Sequence, residues 1–194
     1  MNAIAADTSF YSCIICYLQN EDCLYHFLDC YNFYVGNRLL EEIPYHKINE
    51  SIFKSKIQHT TKYEYIQLML PVLDRNEKHV FDGEYEAIGI AHFLQKEEKL
   101  KYLIIDEKIA RNFVKRVFSH LTPYLHGTIG FIEHCCCTDE YISTQSAIRL
   151  LEHIKELTKT ADKNSRPCSM DKKNYLKIIE PTIKRIREFE DGRL

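Results

Sequence analysis

The sequence predicts an α/β domain with a mostly parallel central sheet flanked by helices, and three observations carry that prediction. Two short apolar runs, AIAA at 3–6 and KYLII at 101–105, read as buried parallel strands, and each ends in an acid, Asp7 and Asp106. Stretches with apolar residues at helical spacing alternate with such runs, the pattern that builds a parallel sheet. No apolar run approaches the roughly 18 residues that span a bilayer, so a soluble cytoplasmic protein is expected.

Taken in order, residues 3–7 form the first strand, and Thr8 or Ser9 is placed to cap the helix SFYSCIICYLQ behind it. A second helix covers 21–29 on Leu24, Phe27 and Leu28. NFYV at 32–35 reads as a strand, and Asn37 caps a short helix carrying Leu39, Leu40 and Ile43, which Pro44 stops. Residues 46–80 are the least legible: IQLML reads as a strand or a short buried segment, and 74–79 as a loop or helix start. From Gly83 a helix recovers on Ala87, Ile88, Ala91 and Leu94. After KYLII, the helix 107–119 buries Ala110, Phe113, Val114, Val117 and Phe118, and turns Lys108, Arg111 and Lys115 the other way. A short strand near Tyr124–Leu125 precedes a helix opened by Gly127-Thr128, and a long helix runs over 143–159. The domain is drawn at 1–158, a linker at 159–170 and a C-terminal helix at 171–194, with Leu176, Ile179, Ile183 and Ile186 inward and a bend at Pro181. No internal repeat is evident.

A chain of 194 residues suits one domain with a helical extension. Its balance of 45% hydrophobic and 28% charged residues excludes a disordered or membrane class. The net charge of −2 does not advertise a nucleic-acid binder, but clustered carboxylates would mask a basic rim. The absence of Lys or Arg before the first apolar stretch argues against a secretory signal. Eight cysteines, three of them consecutive at 135–137, fit free thiols in a reducing compartment better than a disulfide framework.

Four acidic positions stand out: Asp7, Glu42, Glu84 and Asp106 lie at strand ends or helix termini. An open α/β sheet gathers such positions in one crevice outside the carboxyl ends of its strands. Carboxylates crowded there repel one another unless a cation intervenes, and an oxygen-only set suits Mg²⁺ or Mn²⁺. Each acid also has a plainer reading. Asp7 and Asp106 could be N-caps, and Glu84 could answer a helix dipole for about 0.3–1 kcal/mol. Glu84 lies in line with the buried Ala87, Ile88 and Ala91, which a dipole role does not require; Glu86 points elsewhere. Glu42 falls nearer the inner side than Glu41, and Glu107 adds a carboxylate beside Asp106.

The ordered segments DTS, LLEEI, GEYEAIGIA, LIIDEKIAR and HGTIGFI resemble the PIN-domain nucleases over about residues 1–155, most closely a VapC-toxin-like branch. The resemblance implies a PIN-like three-layer fold and a metal-dependent endoribonuclease acting on single-stranded RNA. It implies Asp7, Glu42, Glu84 and Asp106 as catalytic metal ligands for Mg²⁺ or Mn²⁺, with Glu107 as a weaker ligand and Thr8 or Ser9 supporting the first acid. Glu84 departs from the commoner Asp. Lys108 and Arg111 form the expected phosphate rim. An antitoxin-like partner and a homodimer follow from the same resemblance, and the apolar stripes of 143–159 and 171–188 are the surface expected to serve them. A DNA nuclease, or an interaction module with an idle site, is the alternative. Cys13–Cys16 lies inside an apolar helix and reads as packing. Cys135–Cys137 with His134 cannot readily converge on one zinc ion. The missing Gly-rich phosphate loop excludes nucleotide-binding ATPases.

Overall fold

The computed structural model describes residues 2–73, 82–160, 167–169 and 175–192. Five strands, β1 (Ala3–Ala6), β2 (Asn32–Val35), β3 (Gln58–His59), β4 (Leu100–Ile104) and β5 (Leu125–His126), form one sheet in the order β3-β2-β1-β4-β5. Every pairing is parallel. Helices flank the sheet, so the α/β arrangement with a parallel central sheet expected from the sequence is the one observed, and it is consistent with a PIN-like three-layer fold. The chain lays β1, β2 and β3 outward in one direction, then returns to the far side of β1 for β4 and β5. The order reverses between β1 and β4, which opens a crevice at their carboxyl ends.

Ten helices are described: α1 (Thr8–Ser12), α2 (Glu21–Cys30), α3 (Asn37–Glu42), α4 (Glu50–Lys56), α5 (Tyr65–Leu73), α6 (Gly83–Lys96), α7 (Lys108–Val117), α8 (Thr128–Cys137), α9 (Thr144–Thr160) and α10 (Tyr175–Glu190). β1 is four residues buried throughout, because α6 packs across it and β4. Beneath the sheet, Phe10, Tyr11, Phe27, Phe33 and Phe131 are fully buried, and Phe10 stacks on Phe33 with ring centroids 5.5 Å apart. Each such ring contributes about 1.5–3 kcal/mol by leaving water.

Several expectations change. The first helix is α only to Ser12 and continues as a π-turn over Cys13–Tyr17. α4 and the edge strand β3 were not expected. IQLML lies in a helix, α5, which buries Tyr65, Met69 and Leu73 at i, i+4 and i+8. The last strand starts at Leu125, one residue later than expected. The segment 74–79 lies outside the described residues, as does most of the linker. Within it, Pro167–Ser169 form a 3₁₀ turn with Cys168 buried.

α10 packs on α8 and α9, and Ile179, Ile183 and Ile186 are at most 1% exposed inside the single chain. The stripe offered as a dimer surface is therefore closed within one molecule. Leu176, expected inward, is 59% exposed. Among the described residues no helix is long and apolar enough to cross a membrane.

Candidate functional site

Asp7 ends β1 and Asp106 follows β4, so the two neighbouring strands deliver them side by side at the reversal point. The Asp7 N–H donates to Ile104 O at 2.9 Å, continuing the ladder to the last strand residue. Asp7, not Thr8 or Ser9, caps α1: its Oδ1 accepts from the Phe10 N–H at 3.0 Å. Its Oδ2 accepts from the Asp106 N–H at 2.8 Å, tying the first acid to the fourth across 99 residues of sequence. The capping role and the crevice position, set against each other in the sequence reading, are filled by the two oxygens of one carboxylate.

Asp106 does not cap α7; Glu107 does, accepting from the Ala110 N–H at 3.2 Å. Asp106 instead reaches the start of α8. Its Oδ1 accepts from the Thr128 N–H at 2.8 Å and its Oδ2 from the Thr128 hydroxyl at 2.5 Å. Gly127 makes this approach possible, since a Cβ there would stand 2.9 Å from Asp106 Oδ1.

Glu42, at the end of α3, accepts from the Thr8 hydroxyl at 2.6 Å and from the Gly83 N–H at 3.0 Å. Gly83 is needed for the same reason as Gly127, because a Cβ would meet Glu42 Oε2 at 2.6 Å. Glu84 follows Gly83 in the first turn of α6, half-buried, within electrostatic reach of Glu42, Glu107 and Asp7. Glu41 faces outward and pairs with Arg38 at 2.7 Å. Glu86 is buried, and its Oε2 accepts from the Leu39 N–H at 2.7 Å, closing the amino end of α3. Ser9 sits half-buried in α1, one residue beyond Thr8.

The electrostatics follow from this crowding. Burial, then the charge of Asp106, pushes the Asp7 carboxyl well above the aspartate range, against the two amides that bond it. Burial also raises Asp106, with Thr128 and Arg111 opposing. Glu84 is raised by burial and then by Glu42, Glu107 and Asp82. Arg111 donates from Nη1 to Ile105 O at 2.8 Å; burial lowers its basicity, and Asp106 and Asp7 oppose that fall. Lys108 and Lys115, both exposed, lie with Arg111, Asp106 and His126 along a pocket of about 550 Å³ that α10 closes with Ile178, Thr182 and Arg185. Burial and then His134 and Arg111 bring His126 down to about 4, so its ring is neutral at physiological pH. A second pocket, of about 730 Å³, lies on the other side of Glu84 and Glu107 and has Val72, Ile109 and Phe113 on its apolar wall.

Two bonded groups therefore stand at this end of the sheet, Asp7–Asp106–Thr128 and Thr8–Glu42–Gly83, and Glu84 is linked to them by charge alone; Arg111 lies near the first group. Among the described residues, no three His, Cys, Asp or Glu side chains surround a common point as a metal shell would. Both oxygens of Asp7, of Asp106 and of Glu42 each hold a protein donor. Thr128 was legible only as a helix opener, because the acid it serves lies 22 residues away. No known family model matches the chain, and comparison with curated proteins and with solved structures likewise returns no match.

Proposed function

We propose that this protein is a divalent-metal-dependent endoribonuclease, and the observation that carries the reading is the Asp7–Asp106 contact at the sheet reversal. A buried and a half-buried aspartate, Asp7 and Asp106, both raised, stand together with one neighbouring guanidinium, and Glu42 and Glu84 add to the same crevice. The donor set fits a hard cation: the ligands are all carboxylate oxygens, each engaged oxygen keeps a second lone pair, and the uncompensated charge favours a cation. Asp7, Glu42, Glu84 and Asp106 would hold it, with Glu107 beside them, once drawn together from positions in which no three of them surround a common point. When bound, Mg²⁺ or Mn²⁺ supplies Lewis acidity at the phosphoryl oxygens.

The chain's own side chains do the rest. Thr128 fixes both oxygens of Asp106, and Thr8 turns Glu42 inward. Lys108 and Arg111 stand where a phosphate backbone entering the α7 pocket would be met by positive charge. The test uses purified full-length protein and a single-stranded RNA oligonucleotide in Mn²⁺, with chelator as control. Cleavage that chelator stops is expected; RNA left intact in Mn²⁺ overturns the reading.

One observation favours a second reading, an interaction module with an idle site. Every oxygen of three of the four acids is already bonded within the protein, and Arg111 supplies a cation in place of a metal. Calorimetry separates the two: heat on titrating Mn²⁺ that Asp106→Asn removes supports the nuclease site, and no heat supports the module.

A further inference from the structure

The chain holds eight cysteines, and two of them meet from opposite ends of the sequence. Cys13, the first residue of the π-turn that follows α1, is fully buried. Cys168, in the turn 167–169, is 5% exposed, and the two Sγ atoms stand 3.1 Å apart. This separation is well inside the contact distance of two unbonded sulfurs and about 1 Å from a covalent S–S bond of about 2.05 Å. Cys168 is held with φ 55 and ψ 34, the left-handed region that an L-residue enters only against a free-energy cost. The turn packs against α1, the π-turn after it and α9, and these contacts keep the strained residue where its thiol points at Cys13. Cys168 also lines the pocket that Asp106 and Arg111 share with α10.

We propose that Cys13 and Cys168 form a redox pair, converted by a hydroperoxide into a disulfide that fastens the C-terminal segment to the π-turn after α1. The chemistry balances with the oxidant named. With hydrogen peroxide as that hydroperoxide, the Cys168 thiolate attacks one oxygen, the O–O bond breaks, an S–O bond forms, and the departing hydroxide takes up the proton the thiol released and leaves as water. Cys13 then attacks the Cys168 sulfur, the S–O bond breaks, and a second water leaves as the S–S bond forms. Two thiols lose two electrons, and one hydroperoxide gains them. The thiolate is the attacking form, so the reaction gains speed as pH rises. The cross-link joins the π-turn that follows α1, the helix Asp7 caps, to the turn that precedes α10. It therefore fixes the wall of the pocket opposite Asp106. The proposal stands on the two thiols alone and does not require the nuclease reading.

The test treats the full-length protein with hydrogen peroxide at pH 8.5, then denatures it, alkylates it and digests it without reductant. The intact mass should fall by roughly 2 Da, the two hydrogens lost, with two fewer thiols alkylated. A peptide joining the segment around Cys13 to that around Cys168 should appear, and dithiothreitol should remove it. The oxidised protein should melt higher than the reduced one. Cys168→Ser and Cys13→Ala, each checked for fold by circular dichroism, should lose the cross-link, and Cys16→Ser should keep it. Eight alkylated thiols after peroxide, or a bridge from Cys13 to Cys23 in place of Cys168, would overturn the proposal; the wild-type digest decides this even if a variant fails to fold.

Discussion

At the amino end of the strands, Asp139 accepts from Lys101 Nζ at 2.5 Å, from the Tyr31 hydroxyl at 2.5 Å and from the Tyr102 hydroxyl at 2.9 Å. Tyr31 directly precedes β2, and Lys101 and Tyr102 lie early in β4. At the carboxyl end of the same β4, Asp106 bonds Thr128 and faces another carboxylate, Asp7. Burial alone would raise both groups. At Asp139 an ammonium and two phenols outweigh it, and the carboxyl sits below its ordinary value. At Asp106 the donors do not outweigh it, and the carboxyl sits above. One end of the sheet spends its acid on holding the chain together, while the other keeps negative charge that the fold does not neutralise. Uncompensated charge of that kind disfavours the folded state, and the proposed metal site rests on it.

Removing Asp7 should produce the largest effect. Asp7→Ala should reduce RNA cleavage by more than about 100-fold, beyond what an outer-shell partner costs. Asp139→Ala should leave the rate unchanged in protein still folded at the assay temperature. Equal activity losses from the two changes would erase the contrast between the ends.

Stability should show the reverse order. Asp139→Ala strands a largely enclosed ammonium and two hydroxyls and should destabilise by about 3 kcal/mol in denaturant titration. Asp106→Asn should be neutral or stabilising. The amide oxygen keeps the Thr128 N–H, and the amide nitrogen donates to a threonine hydroxyl free to rotate its proton away. A large loss in Asp106→Asn would show that the crevice acid is structural after all.

Thr128→Val tests the support of the site. It removes the hydroxyl donor and preserves shape, so cleavage should fall by about 10–100-fold, the range for an outer-shell partner of a ligand. An unchanged rate would remove Thr128 from the site.

The smallest effect is in the pH dependence. Asp139, held below its ordinary value, contributes stability that is present above about pH 3.9 and lost as pH falls through its folded value. Asp7 and Asp106, held above theirs, act oppositely: their contribution declines as pH rises from about 3.9 through their folded values. The melting temperature of Asp106→Asn relative to wild type should therefore be highest near pH 7 and shrink towards pH 4. A constant difference would contradict the raised carboxyl.

The positions of these acids were legible because Asp7 and Asp106 each terminate an apolar run, and such a run leaves one polar residue to mark the strand's carboxyl end. α6 was legible from Ala87, Ile88 and Ala91. α5 was not, for a physical reason: Ile66, Leu68, Leu70 and Val72 are apolar like the buried Tyr65, Met69 and Leu73, so no polar face revealed the helical period. Ile66, Leu70 and Val72 are in fact partly exposed. The partners of the acids were hidden as well. Glu86 serves Leu39, 47 residues earlier, and a bond across that separation leaves no local pattern. Asp7 was offered as either cap or crevice acid because sequence spacing assigns a residue one direction, and a carboxylate has two oxygens.

The Glu86 bond to Leu39 also bears on how the crevice can move. It ties α6 to the amino end of α3, and the Glu42 bond to Gly83 ties the carboxyl end of α3 to the start of α6. Gly36 admits the Glu86 side chain, where a Cβ would stand 2.2 Å from its carboxyl carbon. The short α3 is thus fastened at both of its ends to the first turn of α6, so Glu42 and Glu84 travel together. Any widening that admits a ligand must then come from sliding α3 and α6 together against the β1–β4 pair, which makes Thr8, bonded across that seam to Glu42, the latch of the crevice.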